Sequence, residues 1–376
     1  MIFSNMEILK IKGGEEMIDF TCKTQIVSGP GAVEKLKDMK IGKLLLVTDP
    51  YFMENSTAQR IAALTGAKER RIFQDITPDP TVELAARGAA LVREFDPDTV
   101  VALGGGSAMD CAKAMLYFGS PKARLVAIPT TSGSGSEVTN FAILTHGGVK
   151  HPLVDDRLQP ETAILDSDLL TQLPSGLIAD CGFDVLAHAL EAYTATGAGQ
   201  ITDALATDAF CKAYSLLAAS FGGDTSVRQD IHMASAMAGM AFTQAGLGVC
   251  HAISHSLGGI FHVPHGRLNA ILLPAVIALN ARVAGAKYAV LARAAGMGGS
   301  ADTMAVRNLK NGLIRLRREL GLPATLAQAG INPAQLRLYQ ADIVASALED
   351  PCCRTNAILV ERFMVQDILA EVTGRG

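Results

Sequence analysis

Two different patterns of apolar residues divide this chain near residue 175. In the first part, short apolar runs alternate with stretches of helical periodicity, which is typical of buried parallel strands connected by helices. We predict strands at 43–48, 99–103 and 125–129, and helices at 82–95 and 107–117. Further along, the strand signals fade and helical periodicity covers 176–194, 202–221, 226–244, 248–261 and 269–284. The sequence therefore predicts an α/β domain with a Rossmann-like parallel sheet over residues 17–175 and an all-α domain over residues 176–376.

Composition and charge exclude several classes of partner. The chain has 376 residues, of which 49% are hydrophobic, enough to fill two or three cores. Its net charge is −4 and the charges are interspersed, unlike the basic footprint of a nucleic-acid binder. The longest apolar runs, such as 270–279 with Pro274 inside, are shorter than the roughly 20 residues that a membrane span needs. We expect a small-molecule ligand and no nucleic-acid or membrane partner.

The cysteines and the N-terminus indicate a reducing, cytoplasmic location. Seven cysteines, an odd number without a Cys-x-x-Cys pair, argue against a disulfide framework or a thiolate zinc site. Residues 1–16 carry charges among their apolar residues, so they lack the uninterrupted apolar core of a secretory signal. We interpret the stretch before Met17 as a translated ribosome-binding site with Met17 as the true start. The alternative is a short targeting helix, because Ile2, Met6 and Leu9 would share one face.

Two glycine-rich or hydroxyl-rich loops follow predicted strands. The first, at 104–107, opens a helix, so its backbone N–H groups can receive a pyrophosphate. Taken alone it is also compatible with a tight turn, because Met109 stands where the Rossmann fingerprint has its third glycine. A second loop, 130–137, follows the next strand and is expected at the same sheet edge. Two such loops side by side favour a dinucleotide site. Asp49 ends another strand and would bind an adenosine ribose and repel a 2′-phosphate, favouring NAD; the alternative is a helix cap.

The second part of the chain concentrates potential metal ligands. Asp184 and His188 are four residues apart, so one helical face presents both. Four of the eight histidines follow within fifteen residues, namely His251, His255, His262 and His265. We predict that Asp184, His188, His251 and His265 bind one ion, which by ligand type is Fe(II) or Zn(II). By spacing, His255 is equally suited to ligate or to face the substrate, and His262 is interpreted as a residue at a helix end.

Three stretches of the chain also carry a family resemblance. They run from Gly104 to Lys113, from Pro129 to Thr139 and from Gly246 to Asn269. In combination they resemble the iron-containing (group III) alcohol dehydrogenases, over roughly residue 17 to the C-terminus. Within that family, residues 244–266 are most similar to the propanol dehydrogenases of propanediol utilisation.

The resemblance implies both a ligand set and a reaction. Fe(II) would be bound by Asp184, His188, His251 and His265, and His255 would lie near the nicotinamide and substrate as a catalytic residue that relays the alcohol proton. Roles in binding NAD(H) are implied for Asp49, Gly105, Gly106, Ser107, Thr130, Thr131 and Lys150. The implied reaction is hydride transfer between NADH and a short-chain aldehyde, of the propanal/1-propanol type.

Rival functions remain open from the residues alone. One is a zinc polyol dehydrogenase of the glycerol type, and another is a lyase similar to dehydroquinate synthase. The lyase would need a basic pocket, whereas only Lys150 and Arg267 are candidate cations. The residues beside the metal motifs are instead apolar, namely Phe183, Leu186, Phe242, Leu247, Ile260 and Phe261. We further expect a homodimer or higher homo-oligomer, with a microcompartment shell or cargo role as a third, non-enzymatic alternative.

Overall fold

The computed structural model describes residues 20–119 and 122–374, so the expectations for residues 1–16 lie outside the described residues. Eight strands are formed, β1 (Gln25–Ser28), β2 (Lys43–Val47), β3 (Glu69–Phe73), β4 (Thr99–Gly104), β5 (Arg124–Pro129), β6 (Phe141–His146), β7 (Val149–Val154) and β8 (Thr162–Leu165). The helices of the first half are α1 (Pro50–Glu54), α2 (Thr57–Leu64), α3 (Val82–Phe95) and α4 (Gly106–Gly119).

The second half contains helices α5 (Ser175–Thr194), α6 (Gln200–Phe221), α7 (Arg228–Ala245), α8 (Val249–Phe261), α9 (His265–Ala294), α10 (Asp302–Glu319), α11 (Pro333–Glu349), α12 (Pro351–Arg354) and α13 (Arg362–Thr373). Short 3-10 helices are formed at Ala32–Asp38, Asp156–Leu158, Ser167–Leu170 and Thr225–Val227. The predicted fold class is confirmed: strands and helices alternate first, and helices alone follow.

The main sheet has six parallel strands in the order β1-β8-β5-β4-β2-β3. Every residue of β4 is buried, as expected for a central strand covered on both faces. In the register of the sheet, Gly104 lies opposite Pro129, so the loops that follow β4 and β5 start side by side. The predicted convergence of these loops at the carboxyl edge is therefore confirmed.

An antiparallel hairpin, β6 paired with β7, was not predicted from the sequence. Most of β7 is exposed or half-buried, and Pro152 lies inside it, so it lacks the continuous apolar run of the sheet strands. The hairpin packs on α4 and α8 and carries Lys150 toward the helical half.

The core of the helical half is built around α5 and α9. Sixteen of the twenty residues of α5 are buried, which explains its high apolar content on all faces. Helix α9 has 30 residues, ten more at its C-terminal end than predicted, and it continues through Pro274. By length and composition α9 is the one helix, among residues 20–119 and 122–374, that could cross a membrane. Because 72% of its most apolar window is buried in the protein, we interpret it as a core helix.

Candidate active site

The carboxyl ends of β2, β4 and β5 supply the loops predicted to bind a cofactor. Gly104 ends β4 with φ 153°, and a Cβ there would lie 2.6 Å from the Cβ of Ala108, so only glycine fits this sharp turn into α4. Gly105 and Gly106 lead into the N-terminus of α4, where backbone N–H groups have no helical partner. The geometry suits a phosphate at the start of this helix.

Asp49 caps a helix, one of the two roles that the sequence left open, and it also lies beside the glycine loop. Its Oδ1 accepts a hydrogen bond from the backbone N–H of Phe52 at 3.4 Å and thereby caps α1. Its Oδ2 lies close to Gly104, 3.6 Å from where a Cβ on that glycine would stand. Burial raises the pKa of Asp49, and the hydrogen bonds from the backbone of Phe52 and Tyr51 oppose that rise. The cap therefore leaves one carboxylate oxygen beside the glycine loop.

The loop at 130–137 joins the two halves of the molecule. The hydroxyl of Ser132 lies 2.9 Å from Nδ1 of His232 on α7. The carbonyl of Gly133 accepts a hydrogen bond from Nδ1 of His188 on α5 at 3.2 Å. Through these two contacts, a loop of the α/β half is fixed against helices of the helical half.

Three helices bring the four predicted metal ligands together. Asp184 and His188 lie one turn apart on α5, His251 lies in the first turn of α8, and His265 is the first residue of α9. Helix α9 can approach α5 this closely because residue 266 is glycine: a Cβ there would lie 1.8 Å from the carbonyl oxygen of Asp180. Gly266 thus sets the position of its neighbour His265.

The ligand atoms surround one carboxylate oxygen. Oδ1 of Asp184 lies 3.9 Å from Nε2 of His188, 3.7 Å from Nε2 of His251 and 3.5 Å from Nε2 of His265. The rings of His188 and His251 are stacked with centroids 4.5 Å apart, and Phe242 stacks on the other side of His188 at 4.5 Å. Ligand atoms of Asp184, His188 and His251 lie within 4.8 Å of one another, close enough to hold one ion, and His265 approaches the group through Asp184. Three imidazole nitrogens and one carboxylate are a donor set suited to Fe(II) or Zn(II).

Each of the three buried ligands is held by a group that the sequence analysis missed. Nδ1 of His251 lies 2.6 Å from Oε2 of Glu191, and Nδ1 of His188 donates to Gly133. The amide nitrogen of Asn269 donates to Oδ1 of Asp184 at 2.8 Å. Supporting partners of this kind orient metal ligands and fix the histidine tautomer. Spacing gives a signal for Glu191, because it falls on the α5 face of Asp184 and His188.

The electrostatics of this cluster favour a cation. Burial would raise the pKa of Asp184, but the surrounding His188 and His265 hold it well below its usual range. Burial lowers the pKa of His188 to about 4 and moves that of His265 well below its usual range. Burial also disfavours the charged form of His251, but the neighbouring carboxylates of Asp184 and Glu191 together prevail and raise its pKa to about 9. Without a metal, the proton on His251 is thus the compensating charge near Asp184.

His255 has a different partner from the four ligands. Its Nδ1 lies 2.8 Å from Oδ2 of Asp350, the residue that joins α11 to α12. Burial would raise the pKa of Asp350, but the hydrogen bond and charge of His255, together with hydrogen bonds from Cys352, outweigh burial and lower that pKa. The ring of His255 stacks on that of His265 with centroids 5.1 Å apart, so it borders the metal site. His262 is exposed and ends α8 in the left-handed region with φ 55°, consistent with its predicted place at a helix end.

A cavity of about 880 Å³ connects the glycine loops to the metal ligands. This volume is within the range of ligand sites, roughly 300–1,000 Å³. Six of the seven predicted cofactor residues line it, namely Asp49, Gly105, Gly106, Ser107, Thr130 and Thr131. Asp184 and His265 line its other end, beside Leu173, Leu177 and Pro264. One continuous cavity therefore reaches from the predicted cofactor loops to two of the four predicted metal ligands, whereas His188, His251 and His255 are not among its lining residues.

Two sets of residues singled out from the sequence lie outside the lining of the cavity. Lys150 is not among the lining residues and forms an ion pair with Asp79 at 2.7 Å, so its role toward the cofactor stays a prediction. The six apolar residues near the metal motifs do not line the cavity either, and all of them pack in or against the helical core. One of them, Phe242, stacks on the ring of a predicted ligand, His188.

Comparison with known proteins agrees with this architecture. The model of the iron-containing alcohol dehydrogenases matches residues 23–167, and that of the C-terminal domain of the same family matches residues 178–373. The chain belongs to the iron-containing alcohol dehydrogenase family and is an enzyme of the alcohol dehydrogenase class.

Particular relatives narrow the class. The chain is 38% identical to the 1-propanol dehydrogenase PduQ of Citrobacter freundii over 95% of this chain and 100% of that protein. It is 36% identical to the NADPH-dependent butanol dehydrogenase of Clostridium saccharobutylicum over 90% and 94%. Among solved structures, a 1,3-propanediol oxidoreductase superposes with a TM-score of 0.89 at 29% identity, covering 95% of this chain and 100% of that one. The predicted similarity to propanol dehydrogenases of propanediol utilisation is confirmed.

Proposed function

We propose that this enzyme interconverts short-chain aldehydes and primary alcohols, of the propanal/1-propanol type, with NAD(H) and Fe(II). The observation that carries the proposal is the single cavity lined by the predicted cofactor loops at one end and by metal ligands at the other. In this proposal residues 17–175 bind the dinucleotide and residues 176–376 hold the metal.

The chain's own residues would position the reactants. The N-terminus of α4, with Gly105, Gly106 and Ser107, would receive the pyrophosphate, and the hydroxyls of Thr130 and Thr131 would add donors. The free oxygen of Asp49 would accept a ribose hydroxyl. A dinucleotide bound in this way extends along the cavity toward Asp184 and His265.

The reaction would take place between the cofactor and the metal site. A divalent metal held by Asp184, His188, His251 and His265 supplies Lewis-acid polarisation of the carbonyl, and the nicotinamide supplies the hydride. His255 would donate when its ring carries a proton on both nitrogens: Nδ1–H stays directed at Asp350, and the Nε2 proton passes to the alkoxide oxygen, directly or through a water. Asp350 would orient the ring, and a proton from solvent would restore Nε2–H after each turnover.

The charges around the site favour an uncharged substrate. The guanidinium of Arg267 is engaged by both carboxylate oxygens of Asp180, at 3.1 and 2.9 Å, and Lys150 is paired with Asp79. A carboxylate or phosphate substrate would have to compete with these ion pairs. This disfavours the lyase alternative, and it distinguishes small neutral aldehydes from anionic ones.

The first test is NADH oxidation with propanal under anaerobic conditions, using metal-free protein reconstituted with Fe(II) or Zn(II). We expect Fe(II) to restore turnover, propanal to be reduced at least tenfold more efficiently than the anionic aldehyde glyoxylate, and NADH to be preferred over NADPH. Turnover restored by Zn(II) alone, together with glycerol oxidation, would favour the zinc polyol alternative. No turnover with either metal would refute the proposal.

The catalytic role of His255 is tested by replacing it with asparagine. We expect a loss of kcat of about 100-fold or more with metal content unchanged. The matched control is His262→Asn, because His262 is exposed and the left-handed backbone there tolerates asparagine. If His255→Asn removed the metal as well, His255 would be a ligand.

The oligomeric state and the location of the enzyme can be tested in the same way. We propose a homodimer or higher homo-oligomer, which sedimentation of the purified protein would test. Association with a microcompartment is tested by deleting residues 1–16: unchanged turnover with altered particle association would support a targeting role for that segment. Unchanged association would contradict a targeting role for that segment.

A further inference from the structure

A buried carboxylate, Glu191, lies behind the metal ligands and contacts one of them, His251. The residue is only 2% exposed, and both of its carboxylate oxygens accept hydrogen bonds. Oε1 accepts the backbone N–H of Cys250 at 2.8 Å. Oε2 accepts the backbone N–H groups of Gly248 at 2.9 Å and His251 at 3.3 Å, and it lies 2.6 Å from Nδ1 of His251. Glu191 forms an ion pair with His251, and no lysine or arginine among the described residues pairs with it.

This arrangement determines which nitrogen of His251 faces the site. A carboxylate accepts hydrogen bonds only, so Nδ1 of His251 must carry the hydrogen that it directs at Glu191. The lone pair that a metal needs is then on Nε2, the atom 3.7 Å from Oδ1 of Asp184. We propose that Glu191 is a positioning residue that holds His251 in the metal-binding tautomer and orientation, and so sets the affinity of the site for divalent metal. This inference rests on the metal-binding part of the proposed function.

The position of Glu191 in the fold explains how one side chain can do this. Asp184, His188 and Glu191 follow one another at spacings of four and three on α5, so they share one face of that helix. From there the Glu191 carboxylate caps the first turn of α8, the turn that carries His251. The side chain therefore fixes α8 relative to α5 at the point where ligands from both helices must meet.

Charge balance supports the same role. The four ligands contribute one formal negative charge, that of Asp184, when their histidines are neutral. With Glu191 the buried cluster carries two, which matches a divalent cation. Buried charges are tolerated when they are paired and hydrogen-bonded, and Glu191 is hydrogen-bonded to the first turn of α8 and to His251.

Gly248 provides an independent way to disturb the contact. A Cβ on Gly248 would lie 2.6 Å from Oε1 of Glu191, while its backbone is extended, with φ −146°, and accepts any residue. Gly248→Ala would thus displace the carboxylate without removing it. The same Cβ would lie 2.7 Å from Oδ1 of Asn356, so this variant complements a change at Glu191 and does not replace it.

The experiment measures Zn(II) affinity by competition with a chromogenic chelator for wild type, Glu191→Gln and Gly248→Ala. We expect both variants to bind metal about 10- to 100-fold more weakly, the effect typical of losing a partner that orients a ligand. The control is Thr194→Val, which removes a buried hydroxyl from the same helix, one that bonds to the backbone carbonyls of Leu190 and Glu191 and not to the Glu191 carboxylate. That control should lose stability with metal affinity within about twofold of wild type.

The absorption spectrum of bound Co(II) distinguishes a residue that positions a metal ligand from one that only caps a helix. Bound Co(II) absorbs visible light in a way that depends on the geometry of its ligands, so Glu191→Gln should change the Co(II) spectrum and Thr194→Val should not. If Glu191→Gln fails to fold, Gly248→Ala and Glu191→Asp carry the test, because both retain the charge and move it. Wild-type affinity and spectrum in every folded variant would overturn the inference.

Failure of the proposed function is separable from failure of this inference. A wild-type protein that binds metal but reduces no aldehyde would refute the proposed reaction, and the comparison of metal affinities would still test the role of Glu191. A wild-type protein that binds no divalent metal would overturn both. Equal metal affinity in wild type and Glu191→Gln, with active wild type, would overturn the inference alone.

Discussion

Metal binding should release one proton near neutral pH, and that proton should come from His251. In the metal-free site the pKa of His251 is raised to about 9 by its two carboxylate partners, after overcoming the effect of burial. The pKa of His188 is lowered to about 4 by burial, and that of His265 is also lowered, so both are neutral at pH 7. Asp184 is ionised. A metal arriving at pH 7 must therefore displace a single proton.

The size of the effect follows from the distance between pH and pKa. At pH 7, two units below the pKa of His251, the protonated form exceeds the neutral form about 100-fold. The apparent metal affinity should then be about 100-fold weaker than the limit reached above pH 9. Between about pH 5 and 9 each unit of decreasing pH should cost about tenfold, because one proton competes. Below that range His188 begins to add a second proton.

Calorimetric titration with Zn(II) in two buffers of different ionisation enthalpy counts the protons directly. We expect about one proton released per metal from pH 6 to 8, and the same count for His262→Asn. Release of no proton, or of two or more, at pH 7 would refute the assignment of the charge to His251. Fe(II) under anaerobic conditions should give the same count, since the competition depends on the protein and not on the ion.

The same pKa shift predicts opposite pH trends for metal-free and metal-loaded protein. A raised pKa in the folded state adds stability that is fully present below the unfolded pKa of about 6.5 and is lost as pH rises through about 9. The metal-free protein should therefore lose stability over pH 6.5–9, while tighter metal binding protects the loaded form. Thermal unfolding should show the difference in Tm between the two forms widening over this range; a constant difference would contradict the linkage.

Three further predictions test the site and its support. His188→Ala should weaken metal binding more than about 100-fold and abolish turnover, and metal content by mass spectrometry would check it; full metal retention would contradict the ligand assignment. Asp49→Gly should lower the ratio of kcat/KM for NADH to kcat/KM for NADPH by roughly tenfold or more. The change removes the proposed hydrogen bond from the ribose to the carboxylate and the repulsion of a 2′-phosphate, while Arg60, which also lines the cavity, stays to attract that phosphate; an unchanged ratio in steady-state kinetics would leave Asp49 as a helix cap only. Gly182→Ala should destabilise the fold by about 1–3 kcal/mol in denaturant unfolding, because the new Cβ would lie 2.2 Å from the side chain of Leu217; unchanged stability would show that Leu217 moves freely.

The fold could be predicted where the sequence shows a single clear pattern of apolar residues. The buried strands β2, β4 and β5 are nearly continuous apolar runs, and their predicted ends differ from the observed ends by one residue at most. Helix α9 extends ten residues beyond its predicted end, because packing against α5 and α10 carries the helix past Gly285. The hairpin β6–β7 was missed because its alternating, partly exposed residues give no core pattern.

The site could be predicted where sequence spacing fixes geometry. Asp184 and His188 share a face at any helical position, so their pairing follows from spacing alone. The partners of the ligands could not be found in this way, because Asn269 and Asp350 reach the site only through the packing of α9 and the end of α11. Lys150 could not be located either, since its direction depends on the hairpin that the sequence concealed.

The contacts of the 130–137 loop matter for anyone who recombines members of this family. A crossover between Leu165 and Ser175 would separate the sheet from the helices at an exposed and convenient point. It would also pair the Ser132 hydroxyl and Gly133 carbonyl of one parent with the His232 and His188 of the other. A chimera would therefore preserve its metal centre only if this short loop were inherited together with the helical half, even though the loop belongs to the other domain by sequence.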